Sequence, residues 1–236
     1  MLLKQFLQTT CANALCRVMA VSTLSAGMLI GVPEAKASWS FDQIMRKAEK
    51  RYGRQGPAKD RLLSWNLLIE SSRYLPERQK LVAVNQFFNR ELRFMDDAAL
   101  WKQSDYWATP IETLVQGAGD CEDFSLAKYF TLRKLGVPEE RLRITYTREL
   151  TRGQAHMVLS YYAAPGAEPL ILDNLTDGML PASQREDLLL LYAFDAHGLY
   201  QVEKDGLRRT GNTDRLPGWQ ALMARMRQEG FSLEQG

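Results

Sequence analysis

Apolar residues recur at helical spacing through the first half of the chain and at every second position through much of the second half. Phe41, Ile44, Met45 and Ala48 follow Ser40, a good capping residue, and predict a helix that ends near Gly53. A second helix is expected over residues 58–74 from Leu62, Leu63, Trp65, Leu68 and Ile69. Pro76 opens a third, carrying Leu81, Val84, Asn85 and Phe88. These stripes read as scaffold and carry no chemistry of their own.

A further helix is expected from Asp120 to Leu135-Gly136. It is apolar on several sides (Phe124, Leu126, Ala127, Tyr129, Phe130), with Glu122 and Asp123 in its first turn and Arg133 and Lys134 in its last. That is the profile of a buried central helix whose N-terminus faces a cleft. Asp120 is a credible N-cap, with Asp123 three residues on as the reciprocal partner of a capping box. Period-two alternation then marks strands over 142–147, 155–163 and 169–175, followed by 190–194 and 199–202 around the turn Asp195-Ala196-His197-Gly198. A last helix is expected over 219–227. The whole predicts an α+β domain with a helical front half and an antiparallel sheet packed on the Asp120 helix.

Composition adds a compartment. Lys4 and Arg17, the apolar residues 18–32 and Ala35-Lys36-Ala37 read as a secretory signal over residues 1–37, cleaved before Ser38. Residues 38–236 then form one domain with a real core, exported to an oxidising compartment. The net charge of +2 comes from scattered Lys and Arg, which excludes the basic stripe of a nucleic-acid binder. Gly117-Ala118-Gly119 lacks the ending of a phosphate loop.

Of the three cysteines, Cys11 and Cys16 lie in the leader, so Cys121 is the lone thiol of the exported domain. Exported proteins pair their thiols or lack them, and a retained unpaired cysteine at a helix start marks a nucleophile rather than a packed side chain. Histidine is equally scarce: there are two, and His197 falls in a solvated turn. His156 begins an apolar strand. Mirroring the flanking strands about Pro165-Gly166 sets His156 opposite Leu175 and makes Asp173 its diagonal neighbour on the same face, within side-chain reach. A one-residue slip would send Asp173 to the other face. Cys121, His156 and Asp173 thus form a candidate nucleophile, base and orienting acid. The aromatic connection 94–119, with Trp101, Tyr106 and Trp107, is expected to wall the cleft. Pro110 should sit in the first turn of a short helix there, and Gln116 is a candidate oxyanion donor.

The ordered set Tyr106-Trp107-Ala108-Thr109-Pro110-x-Glu112, Gly119-Asp120-Cys121-Glu122-Asp123 with Ala127-Lys128-Tyr129, Gln154-Ala155-His156-Met157-Val158-Leu159 and Leu172-Asp173-Asn174-Leu175 resembles the bacterial transglutaminase-like cysteine proteinases. Within that family the resemblance is to the periplasmic branch that processes adhesins. It implies a papain-like, transglutaminase-like fold with a Cys121–His156–Asp173 triad. It also implies cleavage of the N-terminal region of a large cell-surface adhesin, which releases the adhesin and promotes biofilm dispersal. Bound calcium, and sequestration by the periplasmic domain of an inner-membrane cyclic-di-GMP receptor, are further implications. Two other readings stay open on the residues alone: a transglutaminase, which shares the triad but passes the acyl group to an amine, and a non-catalytic periplasmic protein whose acids hold a structural ion.

Charge bears on the calcium expectation. Asp120, Glu122 and Asp123 crowd a thiol that must ionise, and carboxylates oppose the help of the helix dipole, worth about 0.3–1 kcal/mol. A hard cation held by Asp120 and Glu122 would reverse that effect, with Asp123 either a third ligand or a cap. The spacing is far from an EF-hand loop, so a backbone carbonyl or a residue distant in sequence must complete the shell. Without an ion, one acid would cap the helix and the others would be solvated.

Overall fold

The computed structural model describes residues 40–53, 56–204 and 206–231; the expected leader, with Cys11 and Cys16, lies outside the described residues. Three helices come first: α1 (Phe41–Tyr52), α2 (Gly56–Ser72) and α3 (Glu77–Glu91). Their spacing places Ile44 and Ala48, then Leu62, Trp65 and Ile69, then Leu81, Val84 and Phe88 in one core. Leu63 departs from the expected stripe and is exposed. Ser40 stands at the N-cap of α1 without a side-chain cap bond, and its carbonyl accepts from the Ile44 N–H at 3.0 Å.

The aromatic connection 94–119 is built from short elements. Strand β1 (Arg93–Phe94) runs parallel to β2 (Ala118–Gly119), joined by Arg93 N–H to Gly117 O at 3.1 Å and Met95 N–H to Gly119 O at 2.9 Å. Between them lie α4 (Asp97–Leu100) and α5 (Pro110–Gln116). Helix α5 begins with a full capping box: the Glu112 N–H donates to Thr109 Oγ1 at 3.1 Å and the Thr109 N–H to Glu112 Oε2 at 2.9 Å. It ends at Gly117, whose φ of 65° is the left-handed region that glycine enters without strain.

Helix α6 (Cys121–Lys134) is the centre of the domain, and every residue from Asp123 to Leu132 is buried. A helix apolar nearly all round is stable only when covered on all sides, and α3, α5 and the sheet do this. The capping box expected at its start does not form. Asp120 occupies the N-cap position with no side-chain cap bond, and the Asp123 carboxylate accepts the Ala108 N–H at 2.8 Å.

The sheet has seven strands in the order β6-β5-β4-β3-β7-β8-β9, each antiparallel to its neighbours. They are β3 (Leu142–Glu149), β4 (Gln154–Tyr161), β5 (Leu170–Leu172), β6 (Leu180–Pro181), β7 (Leu188–Phe194), β8 (Leu199–Glu203) and β9 (Gly206–Gly211). One face brings Leu142, Ile144, Leu159 and Leu172 onto the main core, while Val158, Ile171 and Leu188 form a small second cluster. The β4–β5 ladder pairs Leu159 with Leu172 and Tyr161 with Leu170, so the register continued beyond the ladder sets His156 opposite Leu175. The last helix, α7 (Pro217–Glu229), is core: Trp219 stacks on Phe130 at 5.8 Å and meets Phe194 edge-on at 5.7 Å. Burying such side chains stabilises the fold by about 1.5–3 kcal/mol each.

Candidate active site

Cys121 is the first residue of α6 and lies on the wall of a cleft of about 360 Å³. The approach to it is tight. A Cβ on Gly119 would lie 2.6 Å from both Cβ and Oδ2 of Asp123, so only glycine lets β2 pass this close to the first turn of α6. His156, from β4, lines the same cleft, with Phe94, Trp107, Tyr146, Met157 and Leu175 as apolar wall and Arg152 and Gln154 at its polar side.

His156 is held from behind. Its Nε2 lies 2.7 Å from Asp173 Oδ1, and its carbonyl accepts from Thr147 Oγ1 at 2.9 Å. Asp173 follows directly on β5 and is buried. Its Oδ1 also accepts the Leu175 N–H at 3.1 Å, and its Oδ2 accepts from Arg185 Nη2 at 2.7 Å. Arg185 is itself fixed by Asp187, with contacts of 2.8 and 2.7 Å. Burial pushes the Asp173 carboxyl up, but the bonds and charges of His156 and Arg185 prevail and hold it down at about 2. It is a carboxylate at any ordinary pH. With Nε2 committed to Asp173, the free ring nitrogen of His156 is Nδ1.

The surroundings of Cys121 are the reverse. The thiol donates to Glu122 Oε2 at 3.0 Å. Burial and the Glu122 charge push its pKa well up, against the one favourable contact, the Met157 backbone N–H. Beside it, carboxylate oxygens of Asp97, Asp120 and Asp123 lie within 4.8 Å of one another, as do those of Asp97, Asp105 and Glu122. Asp97 Oδ1, Asp120 Oδ1 and Asp123 Oδ2 are buried with no hydrogen-bond partner. Burial raises Asp97 to about 6 despite the Tyr106 N–H that its other oxygen accepts. Burial, Glu122 and Asp123 raise Asp120 to about 10, and burial raises Asp123 well above the carboxylate range although Ala108 donates to it. Several anions packed together without counter-charge cannot all ionise. The donor set, all carboxylate oxygen with three orphaned atoms converging, fits a hard divalent cation.

The structure therefore brings Cys121 and His156 to one cleft, with Asp173 buried behind the imidazole, and gathers Asp120, Glu122 and Asp123 beside Cys121. It adds Asp97 and Asp105 from the aromatic connection, residues distant in sequence of the kind the acidic cluster required. Other expectations fail. Gln116, at the exposed end of α5, does not line the cleft. Trp107 does, but it is largely buried and stacked on Phe194 at 5.5 Å, while Trp101 packs on Tyr106 at 4.5 Å away from the cleft. The exposed aromatic wall is instead Phe94 and Tyr146, 56% and 37% exposed. Arg185 was missed because nothing in its local pattern points to a residue twelve positions earlier.

Residues 70–188 match the family described as bacterial transglutaminase-like cysteine proteinase. Among solved structures, Legionella pneumophila LapG is 43% identical, with 80% of this chain and 99% of that one covered and a TM-score of 0.70. Its EGTA-treated form gives 42% identity, 80% and 99% coverage and a TM-score of 0.71. The calcium-bound form gives 43% identity, 79% and 99% coverage and 0.68. None of the curated proteins compared matches the chain.

Proposed function

The chain belongs to the bacterial transglutaminase-like cysteine proteinases, and on that premise we propose that it is a calcium-dependent periplasmic cysteine endopeptidase. Its substrate in this reading is the N-terminal region of a large cell-surface adhesin, whose release promotes biofilm dispersal. The observation that carries the reading is the pairing of a helix-start thiol with an imidazole whose far nitrogen is fixed by a buried carboxylate, in one cleft. His156 Nδ1 takes the thiol proton, and the Cys121 sulfur attacks a peptide carbonyl. His156 returns the proton to the departing amine, and water then hydrolyses the thioester. Asp173 stays ionised throughout, holds the tautomer and stabilises the imidazolium. The Cys121 backbone N–H, unpaired within the helix as every first-turn N–H is, is available to the developing oxyanion.

Asp97, Asp120, Glu122 and Asp123 would hold calcium, with Asp105 alongside, and the ion would supply a fixed positive charge against the acids that now oppose the thiolate. The calcium-bound relative supports this assignment. Sequestration by the periplasmic domain of a cyclic-di-GMP receptor rests on the family resemblance, and the exposed Phe94 and Tyr146 at the cleft are apolar anchors such a partner could cover. The test is mass spectrometry of an adhesin's N-terminal fragment after incubation with calcium-loaded protein and a primary amine. Two products, with a free carboxylate at the new C-terminus, are expected. Amine incorporation would replace the endopeptidase with a transglutaminase, and an unchanged fragment would reject both.

A further inference from the structure

Seven residues after Cys121, about two helical turns and hence on the same side of α6, stands a lysine that the proposed reaction does not use. Lys128 is fully buried, and its Nζ has no hydrogen-bond partner. It lies over the face of Phe124, with the ring centroid 5.8 Å away. Burial pushes the ammonium down to about 7, and the charges of Asp173 and Asp177 push back. An ammonium has three donors, and leaving all of them unpaired inside a core is costly.

Unpaired acceptors are gathered about the segment that joins those two aspartates. From α3, Asn89 Nδ2 donates to the carbonyls of Asp173 at 2.9 Å and Thr176 at 3.2 Å, and Asn85 Nδ2 donates to the carbonyl of Asp177 at 3.2 Å. Each asparagine spends its amino group on segment 173–177 and keeps its Oδ1 buried and unpaired, as does Asn174 within the segment. Three orphaned amide oxygens, those of Asn85 and Asn89 on α3 and of Asn174, thus lie at the five residues that carry Asp173, and α3 packs on α6, which carries the orphaned ammonium. Ordered water between them would satisfy both sets, since such a site is polar and offers several partners.

We propose that Lys128 is a positioning residue for the His156–Asp173 pair, a buried cation that anchors segment 173–177 from inside the core and so fixes the carboxylate that holds the imidazole. The catalytic meaning of that pair rests on the proteinase reading, but the test does not need a substrate. The chain has two histidines, so the ring N–H spectrum of 15N-histidine-labelled protein separates His156 from His197. The Nε2–H of His156, bonded to Asp173, should give a downfield proton protected from exchange. In Lys128→Met that proton should vanish or exchange at least about tenfold faster, and iodoacetamide should label Cys121 correspondingly more slowly, with an unchanged or raised Tm. In an Asp173→Asn background the same change should do nothing further, because the two act through one contact. A Lys128→Met protein with the original His156 signal and labelling rate, or effects that add to those of Asp173→Asn, would overturn the proposal. If Lys128→Met does not fold, Lys128→Gln takes its place, and failure of both to fold would assign the lysine to the fold and reject the positioning role. Coupled losses in a protein that cleaves nothing would sink the proteinase reading alone; cleavage with the His156 signal untouched by Lys128→Met would sink this inference alone.

Discussion

Two buried carboxylate sites flank one cleft, and they have opposite electrostatic states. Asp173, 1% exposed, and Asp123, 0% exposed, are the same residue type at the same depth, yet the first is held ionised at about 2 and the second is pushed well above the carboxylate range. Burial acts alike on both, so the difference is counter-charge. Asp173 has Arg185, His156 and a backbone N–H on its two oxygens. Asp123 shares its surroundings with Asp97, Asp120 and Glu122 and leaves an oxygen unpaired. The His156 side of the cleft has its counter-charge within the chain, whereas the acids on the Cys121 side have none there. Under the proposed mechanism, this division makes the nucleophile the conditional partner.

The division is sharpest at the reacting atoms. Cys121→Ala and His156→Ala should each lower adhesin cleavage by on the order of 10⁴ or more while leaving the circular dichroism spectrum unchanged, since neither side chain belongs to the hydrophobic core. Full activity in either variant would end the proteinase reading. Chelation should then discriminate the two sides: EGTA should abolish cleavage, calcium but not magnesium should restore it, and Asp120→Ala or Glu122→Ala should prevent rescue. Each ligand change should weaken calcium binding at least about 10–100-fold, the range seen even for partners one step removed from a metal. The Nε2–H signal of His156 should survive chelation. Cleavage by a protein shown by elemental analysis to be calcium-free would erase the contrast.

Arg185 breaks the comparison from the other direction. Its side chain is 4% exposed and Asp173 is wholly enclosed, so Arg185→Met leaves a buried carboxylate short of a partner. We expect roughly 3–5 kcal/mol of destabilisation in urea titration, as for removal of one member of a buried pair. A variant as stable as the parent would show that the Asp173 site does not depend on its own cation. Arg185→Lys should recover only part of the loss, because the fork that spans Asp173 and Asp187 cannot be copied by one ammonium.

Much of this was legible in the chain, and the parts that were not share a cause. The helix start at Cys121, the α5 start at Pro110 and the β4–β5 register that faces His156 toward 173–175 follow from local pattern, because turn chemistry and periodicity act over a few residues. What escaped is long-range. Arg185 reaches Asp173 across the β6 turn, and Asp97 enters from a four-residue helix too short to show a period. Asp123 looked like half of a capping box and instead serves Ala108, fifteen residues upstream, while the real box lies at Thr109 and Glu112. Trp107 lines the cleft as the aromatic connection suggests, but it also stacks on Phe194, a partner 87 positions away in sequence that no local pattern could supply, while Trp101 packs on Tyr106 off the cleft.

The smallest predicted effect is a pair of opposite pH slopes in one protein. For Asp173 the folded pKa, about 2, lies below the ordinary 3.8, so the unfolded chain binds more protons between them. Its contribution is fully present above pH 4, is lost as pH falls through 2, and amounts to about 2–3 kcal/mol. For Asp97 and Asp120 the folded values, about 6 and about 10, lie above 3.8, so here the folded state holds the extra protons. Stability from these groups is present below pH 4 and is lost as pH rises through 6 and onward to 10. Chelated protein should therefore have its highest Tm in mild acid and decline toward neutrality. Calcium, which binds the deprotonated carboxylates, should remove that decline and add about 2.7 kcal/mol at a free concentration a hundred times its Kd. The acid limb, set by Asp173, should be the same with and without calcium, and should move upward only in Arg185→Met. Thermal melts between pH 2 and 9 in EGTA and in calcium would show this directly. Parallel curves in the two media would mean that the acids around Cys121 are discharged without an ion, and that the two sides of the cleft do not differ in the way their oxygens imply.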